Sequence, residues 1–418
     1  MNIYRKPACS LTILGVVAGI GISASAQEVG PEATLPAQDE RELDVVIVTA
    51  QKQAQSIQEV PASISALSGQ SLKERGITTA DQLQFAVPGL QVGTMRSSGG
   101  SSITIRGVGL NLSQASPAVA LNINGIYQTE PAYGRLAQLD LERVEVLRGP
   151  QGTLYGRNAN GGAINFISRA PEDTFSAELL AGYAEYDEQH FQTILNAPLA
   201  SNIRSRLALD YERRGEGFTE HVAGGEDVDR HETISGRGSL SVDLSSDAVL
   251  DLSLTMSHQT GPTAAFQLNS PPSALAVADN PYLASANVAL KPWTTTANTP
   301  SRSEQDFAQS AATLTWDLGF AELKSLTGYT SFTDDYQLDA DSSDISAYIQ
   351  TVSATSVSFS QEFNLSSSGE MLDWVLGLYY LKDNYKQRFT FDLHRCAGVS
   401  VMITSNVGFT CAFMRCPP

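Results

Sequence analysis

From residue 172 onward, segments of about ten residues alternate between an apolar and a polar face, the period-two pattern of β-strands. In residues 202–212 one face carries Ile203, Ser205, Leu207, Leu209 and Tyr211, and the other Asn202, Arg204, Arg206, Ala208, Asp210 and Glu212. The same dyad sets Ile234, Leu240, Val242 and Leu244 against Ser235, Arg237, Ser239, Ser241 and Asp243. It also sets Leu250, Leu252, Leu254 and Met256 against Asp251, Ser253 and Thr255. Trp374, Leu376, Leu378 and Tyr380 form a further apolar row with an aromatic at each end. Short turns such as Ser245-Ser246 alternate with a long stretch over 261–302 rich in Pro, Ala, Asn and Thr. About nine or ten strands are expected here. Alternation by itself fits a soluble sandwich as well as a membrane barrel, because both bury one face of each strand.

Residues 60–169 read differently, as a small α+β domain. Strands are expected at 63–67, 102–106, 119–123, 144–147 and 163–167. Residues 71–75 predict a short helix before Gly76, and Thr79 caps a second one that runs through Phe85 and stops at Pro88-Gly89. Upstream, residues 27–43 are polar, acidic and Pro-containing, which predicts a flexible tether. An isolated β-branched run follows it: Asp44, Val45, Val46, Ile47, Val48 and Thr49. A short strand at the end of a tether is suited to adding to the sheet edge of a partner.

At the N-terminus, Arg5 and Lys6 precede an apolar stretch from Leu11 to Ile22 and an Ala24-Ser25-Ala26 cleavage pattern, so residues 1–26 are expected to be a secretory signal peptide. As a helix that stretch spans only about 18 Å, against a hydrocarbon core of about 30 Å. No other segment has the length of a spanning helix, so a membrane protein built from this chain has to be a barrel.

Composition narrows the function. The chain has 418 residues, 45 Asp and Glu against 27 Lys and Arg, and a formal charge of −18. Such an excess repels phosphate backbones and argues against nucleic acid as a partner. Cys396, Cys411 and Cys416 lie close to the C-terminus, with no C-x-x-C spacing, and permit one disulfide. The five histidines are scattered with no H-E-x-x-H, the Gly149, Gly152, Gly156 spacing has no following Lys, and there is no G-x-S-x-G. No catalytic residue, metal site or cofactor is expected. Asp334, Asp335, Asp339, Asp341 and Asp344 make an acidic cluster that would attract cations or simply be a solvated loop.

The most specific segment is LDLERVEVLRGPQGTLYGRNANGGAINFIS, residues 139–168. It resembles the plug signature of TonB-dependent outer-membrane receptors. Arg106 and Gly107, then Asn124 and Gly125, precede it in the order of that family's plug, with Asn124 where Asp is commoner. Arg148, Gly149, Pro150, Gly152, Tyr155, Gly156, Asn160, Gly161 and Gly162 carry the rest of the likeness. The 44–49 run resembles the TonB box.

The resemblance implies a signal peptide (1–26), a periplasmic tether (27–43), a TonB box (44–50), an α+β plug (51–171) and a transmembrane antiparallel β-barrel (172–418). The barrel is expected to be incomplete, about 10 strands where the family has about 22, and the chain to be a fragment. Implied partners are TonB with its ExbB and ExbD motor, an extracellular small ligand such as a ferric siderophore, and outer-membrane lipid. Arg106, Arg148 and Arg157 are expected to pair with carboxylates on the inner wall. The competing readings are a passive porin, or a surface binding protein with a small barrel or sandwich.

Overall fold

The structure is a computed structural model that describes residues 47–49, 52, 55–94, 101–109, 117–129, 139–222, 224, 227–261, 270–279, 281–299, 301–367, 373–392 and 403–404. The expected signal peptide, the tether, Asp44, Val45, Val46 and the three C-terminal cysteines lie outside the described residues.

The α+β domain starts with β1 (Ile47–Val48) and β2 (Gln55–Ser56), an antiparallel pair. It continues through β3 (Ser63–Ser68), α1 (Gly69–Glu74), a 3-10 turn (Ala80–Phe85), β4 (Leu90–Thr94), β5 (Ser101–Ile105), β6 (Val119–Ile123), β7 (Ile126–Gln128), β8 (Leu141–Arg148), α2 (Gly152–Tyr155) and β9 (Gly162–Ser168). Five strands form one sheet in the order β3-β8-β9-β6-β7, with β6 and β9 parallel. Helix α1 begins where the Ser68 hydroxyl accepts from the Ser71 N–H at 3.1 Å, and the chain leaves it through Gly76 at φ 65°.

The second expected helix is instead the tighter 3-10 turn. Gln82 Oε1 accepts from the Thr78 and Thr79 N–H groups, and the chain is drawn off through Val87 and Pro88 into β4. Strands β4 and β7 and helix α2 were not expected: β7 and α2 are too short to show a period, and β4, with Gln91 and Gly93 between its apolar residues, is fixed by its pairing with β5.

The core of this domain includes Leu83, Ile105, Ile123, Val146, Ile164 and Phe166, all nearly or fully buried, and it extends to Phe307 and Phe332 of the strands that follow. The domain is therefore packed onto the wall through shared apolar surface.

The wall comprises β10 (Ser176–Ala184), β11 (Glu188–Ala200), β12 (Ile203–Arg214), β13 (Glu220–His221), β14 (His231–Asp243), β15 (Ala248–Gly261), α3 (Ala274–Asp279), β16 (Thr294–Thr295), β17 (Arg302–Asp317), β18 (Glu322–Asp339), β19 (Ile349–Ser367), β20 (Trp374–Asp392) and β21 (Ile403–Thr404). Ten of these form one antiparallel sheet, β10-β11-β12-β14-β15-β17-β18-β19-β20-β21, which does not close on itself. Strands β17 to β20 run to 16, 18, 19 and 19 residues, well beyond the ten expected. A transmembrane β-strand needs only about 9–11 residues, so the excess extends past the hydrocarbon layer, where the apolar residues Tyr336, Leu338, Val352 and Phe389 are buried rather than turned outward.

The two faces of the sheet decide the class of protein. Leu207 and Met256 are 43% and 55% exposed, while their sequence neighbours Arg206 and Thr255 are 5% and 2% exposed. A soluble sandwich would bury the leucines. Here the polar row is covered by the α+β domain and the apolar row is left outside, the arrangement of a membrane barrel. The sandwich reading is thereby excluded.

Candidate coupling site and plug–wall interface

The β1 strand is tucked against the α+β domain. Val48 is fully buried among Val60, Ala120, Leu147 and Ala163. Beyond it, the Thr49 N–H donates to Glu145 Oε1 at 2.8 Å. Glu145 is fully buried on β8, and its carboxylate also accepts from Arg143 Nε at 2.9 Å and from Asn165 Nδ2 at 3.3 Å. A buried carboxylate is tolerated only when its lone pairs are filled this way. Asn165 in turn donates to the Tyr155 hydroxyl at 2.8 Å and accepts from Asn122. Burial, foremost, raises Tyr155 well above its ordinary value, so the hydroxyl stays neutral beside Glu145. Lys52 lies over the Tyr155 ring, 5.4 Å from its centroid, and pairs with Glu362 of β19 at 3.0 Å. The described half of the expected box is thus held on the domain, and the residue shortly after it is held on the wall.

The remaining signature residues form turns and hinges of the same domain. Asn124 and Gly125, at φ 51° and 81°, make the β6–β7 turn, and Asn124 Oδ1 accepts from the Ser168 N–H at 2.9 Å. Arg106 and Gly107 also lie in the left-handed region, at φ 54° and 76°. Gly149 donates to the Gly161 carbonyl, and Gly161 to that of Ala118, which closes the loop carrying Pro150, Gly152, Tyr155, Gly156 and Asn160. Gly162 sits at φ 147°, where an added Cβ would run into the Leu147 carbonyl, so β8 and β9 pair closely only because it is glycine.

Of the three arginines expected to reach the wall, Arg157 does, at 3.3 Å from Asp383 of β20. Arg106 instead donates to the Ser63 hydroxyl at 3.1 Å, and Arg148 reaches the Pro88 carbonyl at 3.5 Å, both inside the domain. Their strands face other strands of the domain rather than the wall.

The strongest cross-contacts run the other way, from wall arginines to the domain. Arg206 of β12 holds Asp140 with two hydrogen bonds of 2.6 and 2.9 Å, and both side chains are 4% exposed. Arg237 of β14 donates to the Leu139 carbonyl at 2.5 Å and to Thr255 at 3.0 Å. Gln128 donates to Gln309 of β17 at 2.8 Å, and Thr129 and Ser356 share a hydroxyl bond at 3.0 Å. That Arg206 and Arg237 lie on the polar faces of their strands was legible from alternation; that those faces point inward, and which partners they meet, was not.

The acidic cluster also resolves differently from a cation trap. Asp334 and Asp335 lie within β18, and Asp334 accepts from Gln305. Asp339 accepts from the N–H groups of Asn298, Thr299 and Ser342, Asp341 from Ala347 and Tyr348, and Asp344 from Asn287. These carboxylates clasp two loops together. The nearby parallel pair β13 and β16 joins a third. Elsewhere, strand register brings His258 opposite Asp306 and near Glu304 on the outer face, an exposed trio whose ligand atoms lie within 4.8 Å.

A polar-lined antiparallel wall, apolar outside, with an α+β domain packed on its inner face and a short strand docked on that domain, defines an outer-membrane plug-and-barrel receptor. Residues 56–163 match the family described as TonB-dependent Receptor Plug Domain. The chain thus carries a TonB-dependent receptor plug domain, followed by antiparallel strands with the fold of the opening part of such a receptor's barrel.

Among similar proteins, the pesticin receptor of Yersinia pestis is 34% identical over 167 residues, 40% of this chain and 24% of the relative. An iron-regulated outer membrane virulence protein of Vibrio cholerae serotype O1 is 33% identical over 229 residues, 50% of this chain and 33% of the relative. The match thus spans a third or less of the length of these relatives. Two solved structures share the fold. The ferric yersiniabactin uptake receptor of Yersinia pestis has a TM-score of 0.66 at 20% identity, covering 80% of this chain and 50% of that one. The ferripyoverdine receptor of Pseudomonas aeruginosa has a TM-score of 0.68 at 18% identity, covering 84% and 46%.

Proposed function

We propose that the chain serves TonB-dependent active uptake of a scarce ligand, a ferric siderophore by class, across the bacterial outer membrane. The observation that carries this reading is the docked β1 strand, an edge held to the plug through Val48 and Thr49 at the end of a polar tether. Residues 44–49 are the segment that TonB would grip. Strand addition suits that role, because main-chain pairing resists force with little demand on side chains. The ExbB and ExbD motor would supply the force, and the plug would yield at its more exposed contact, Arg157 with Asp383, before its buried ones. The ligand class is supported by relatives whose names include ferric yersiniabactin and ferripyoverdine. No reaction is assigned, in keeping with a family of receptors.

The test is an Ile47→Pro substitution in the receptor that contains this chain, since Pro removes a donor and forbids regular pairing. Radiolabelled ferric siderophore should still bind to whole cells, while energised accumulation should fall to the level of cells lacking TonB. Normal accumulation by this variant would rule out the box.

A further inference from the structure

The docked β1 strand has few contacts of its own. Its pairing is two residues long, Ile47 opposite Ser56 and Val48 opposite Gln55, and Ile47 is 48% exposed. A pair of strands that short is not stable by itself. What stands beyond Val48 therefore decides whether the strand stays docked.

Glu145 stands there, fully buried on β8. Its Oε1 accepts from the Thr49 N–H at 2.8 Å, from the Thr49 hydroxyl at 3.3 Å and from Arg143 Nε at 2.9 Å. Its Oε2 accepts from Asn165 Nδ2 at 3.3 Å, which turns the other oxygen towards the strand. Arg143 also pairs with Glu142. This set of donors makes the contact reversible. A buried carboxylate that lost its sole partner would be a stranded charge, at a cost that would hold the strand permanently. Arg143 and Asn165 remain on the plug when Thr49 departs, so release costs one charge-assisted hydrogen bond and the burial of Val48. Lys52, paired with Glu362, holds the chain further along and leaves residues 47–49 free to move once Glu145 lets go.

We propose that Glu145 is a positioning residue for energy coupling: its carboxylate is the catch that keeps residues 47–49 on the plug and sets the fraction of receptors that present this strand to TonB. The inference rests on 44–49 being the coupling segment. Affinity for a partner that takes only the released strand scales with the released fraction. One hydrogen bond to a charged group shifts that fraction by roughly ten- to a hundredfold.

The experiment uses the receptor that contains this chain, with its native cysteines replaced by Ser, purified in mild detergent without ligand. A single cysteine is introduced as Val48→Cys or, in the other apolar cluster of the plug, as Leu83→Cys, and its labelling by a water-soluble maleimide is timed. Glu145→Ala should speed labelling of Val48→Cys roughly ten- to a hundredfold and leave Leu83→Cys unchanged. Glu145→Gln, which keeps an acceptor without the charge, should fall between. The periplasmic domain of TonB, titrated without ligand, should bind the Glu145→Ala receptor more tightly by a similar factor. Heat-modifiable migration on a gel checks that each variant is folded; where Glu145→Ala is not, Thr49→Pro removes the donor in place of the acceptor and is read by the same labelling. Unchanged labelling of Val48→Cys would overturn the proposal. Equal acceleration at Leu83→Cys would overturn it too, because Glu145 would then serve the stability of the whole plug. Faster labelling of Val48→Cys without tighter TonB binding would support the catch and remove 44–49 as the segment that TonB grips, so the two readings fail separately.

Discussion

Asp140 gives the plug its firmest hold on the wall, because both of its oxygens meet the Arg206 guanidinium where water does not reach. Pairs of this kind are costly to break rather than rewarding to make: removing one partner strands a buried charge, at about 3–5 kcal/mol. Asp140→Ala and Arg206→Ala should each destabilise the folded protein in detergent by that order. The double variant should cost clearly less than the sum, and strictly additive losses in a double-mutant cycle of urea unfolding would refute a direct pair. The sequence alone pointed to Arg106, Arg148 and Arg157 as the plug's hold on the wall, and of these only Arg157 reaches it. Arg106 and Arg148 stand in the signature, yet their neighbours in space are Ser63 and Pro88. Signature residues are matched by order along the chain, and order does not say which way a side chain points.

At the scale of the element, period-two alternation gave the right strands because a barrel strand has two different solvents on its two sides. The Leu254 and Thr255 pair on β15 is the test of that statement, since adjacent residues are 48% and 2% exposed with the polar one inside. Leu254→Arg places a charge near the middle of the hydrocarbon and should cost about 2–4 kcal/mol in folding from urea into lipid. A cost under a few tenths would mean that this face meets water. Elements too short to show a period were missed. Strands β4 and β7 depend on partners rather than on their own pattern, and the 3-10 turn depends on Pro88 closing off further helix. Strand lengths were underestimated because the apolar row changes sides along the strand: towards the loops Tyr336, Leu338, Val352 and Phe389 are buried, so one period-two pattern does not run the full length.

For the whole molecule, the loops above the wall are joined by carboxylates that accept backbone N–H groups. Burial and then the neighbouring Asp341 push the Asp339 carboxyl up to about 6, against three backbone donors that pull it down. This group lies at the loop end of β18, above the membrane-spanning part. A carboxyl raised from 3.8 binds its proton more tightly in the folded loops than in the unfolded chain. Its stabilising share is therefore present below the ordinary value and lost as pH rises through about 6. Asp344 has the opposite sign: hydrogen bonds from Asn287 lower it, so its share is lost only at pH below the ordinary carboxylate range. Amides of residues 286–299 should thus be better protected from hydrogen exchange at pH 5 than at pH 7, after correction for intrinsic rates. Asp339→Asn should abolish the difference, and an unchanged difference in that variant would assign the effect elsewhere.

The sequence by itself determined the α+β plug, the alternating wall and the likeness to a known plug signature, because local period and an ordered string of turn residues survive without knowledge of neighbours. It also marked 44–49 as a strand suited to a partner's edge, of which Ile47 and Val48 pair with Ser56 and Gln55 of this chain. Tertiary structure alone decided that apolar residues lie outside and polar ones inside, and that Thr49 meets Glu145 and Arg206 meets Asp140. The physical reason is range. Alternation and turn chemistry act within a few residues, whereas each of these contacts joins residues tens of positions apart through a register that only the assembled sheet sets.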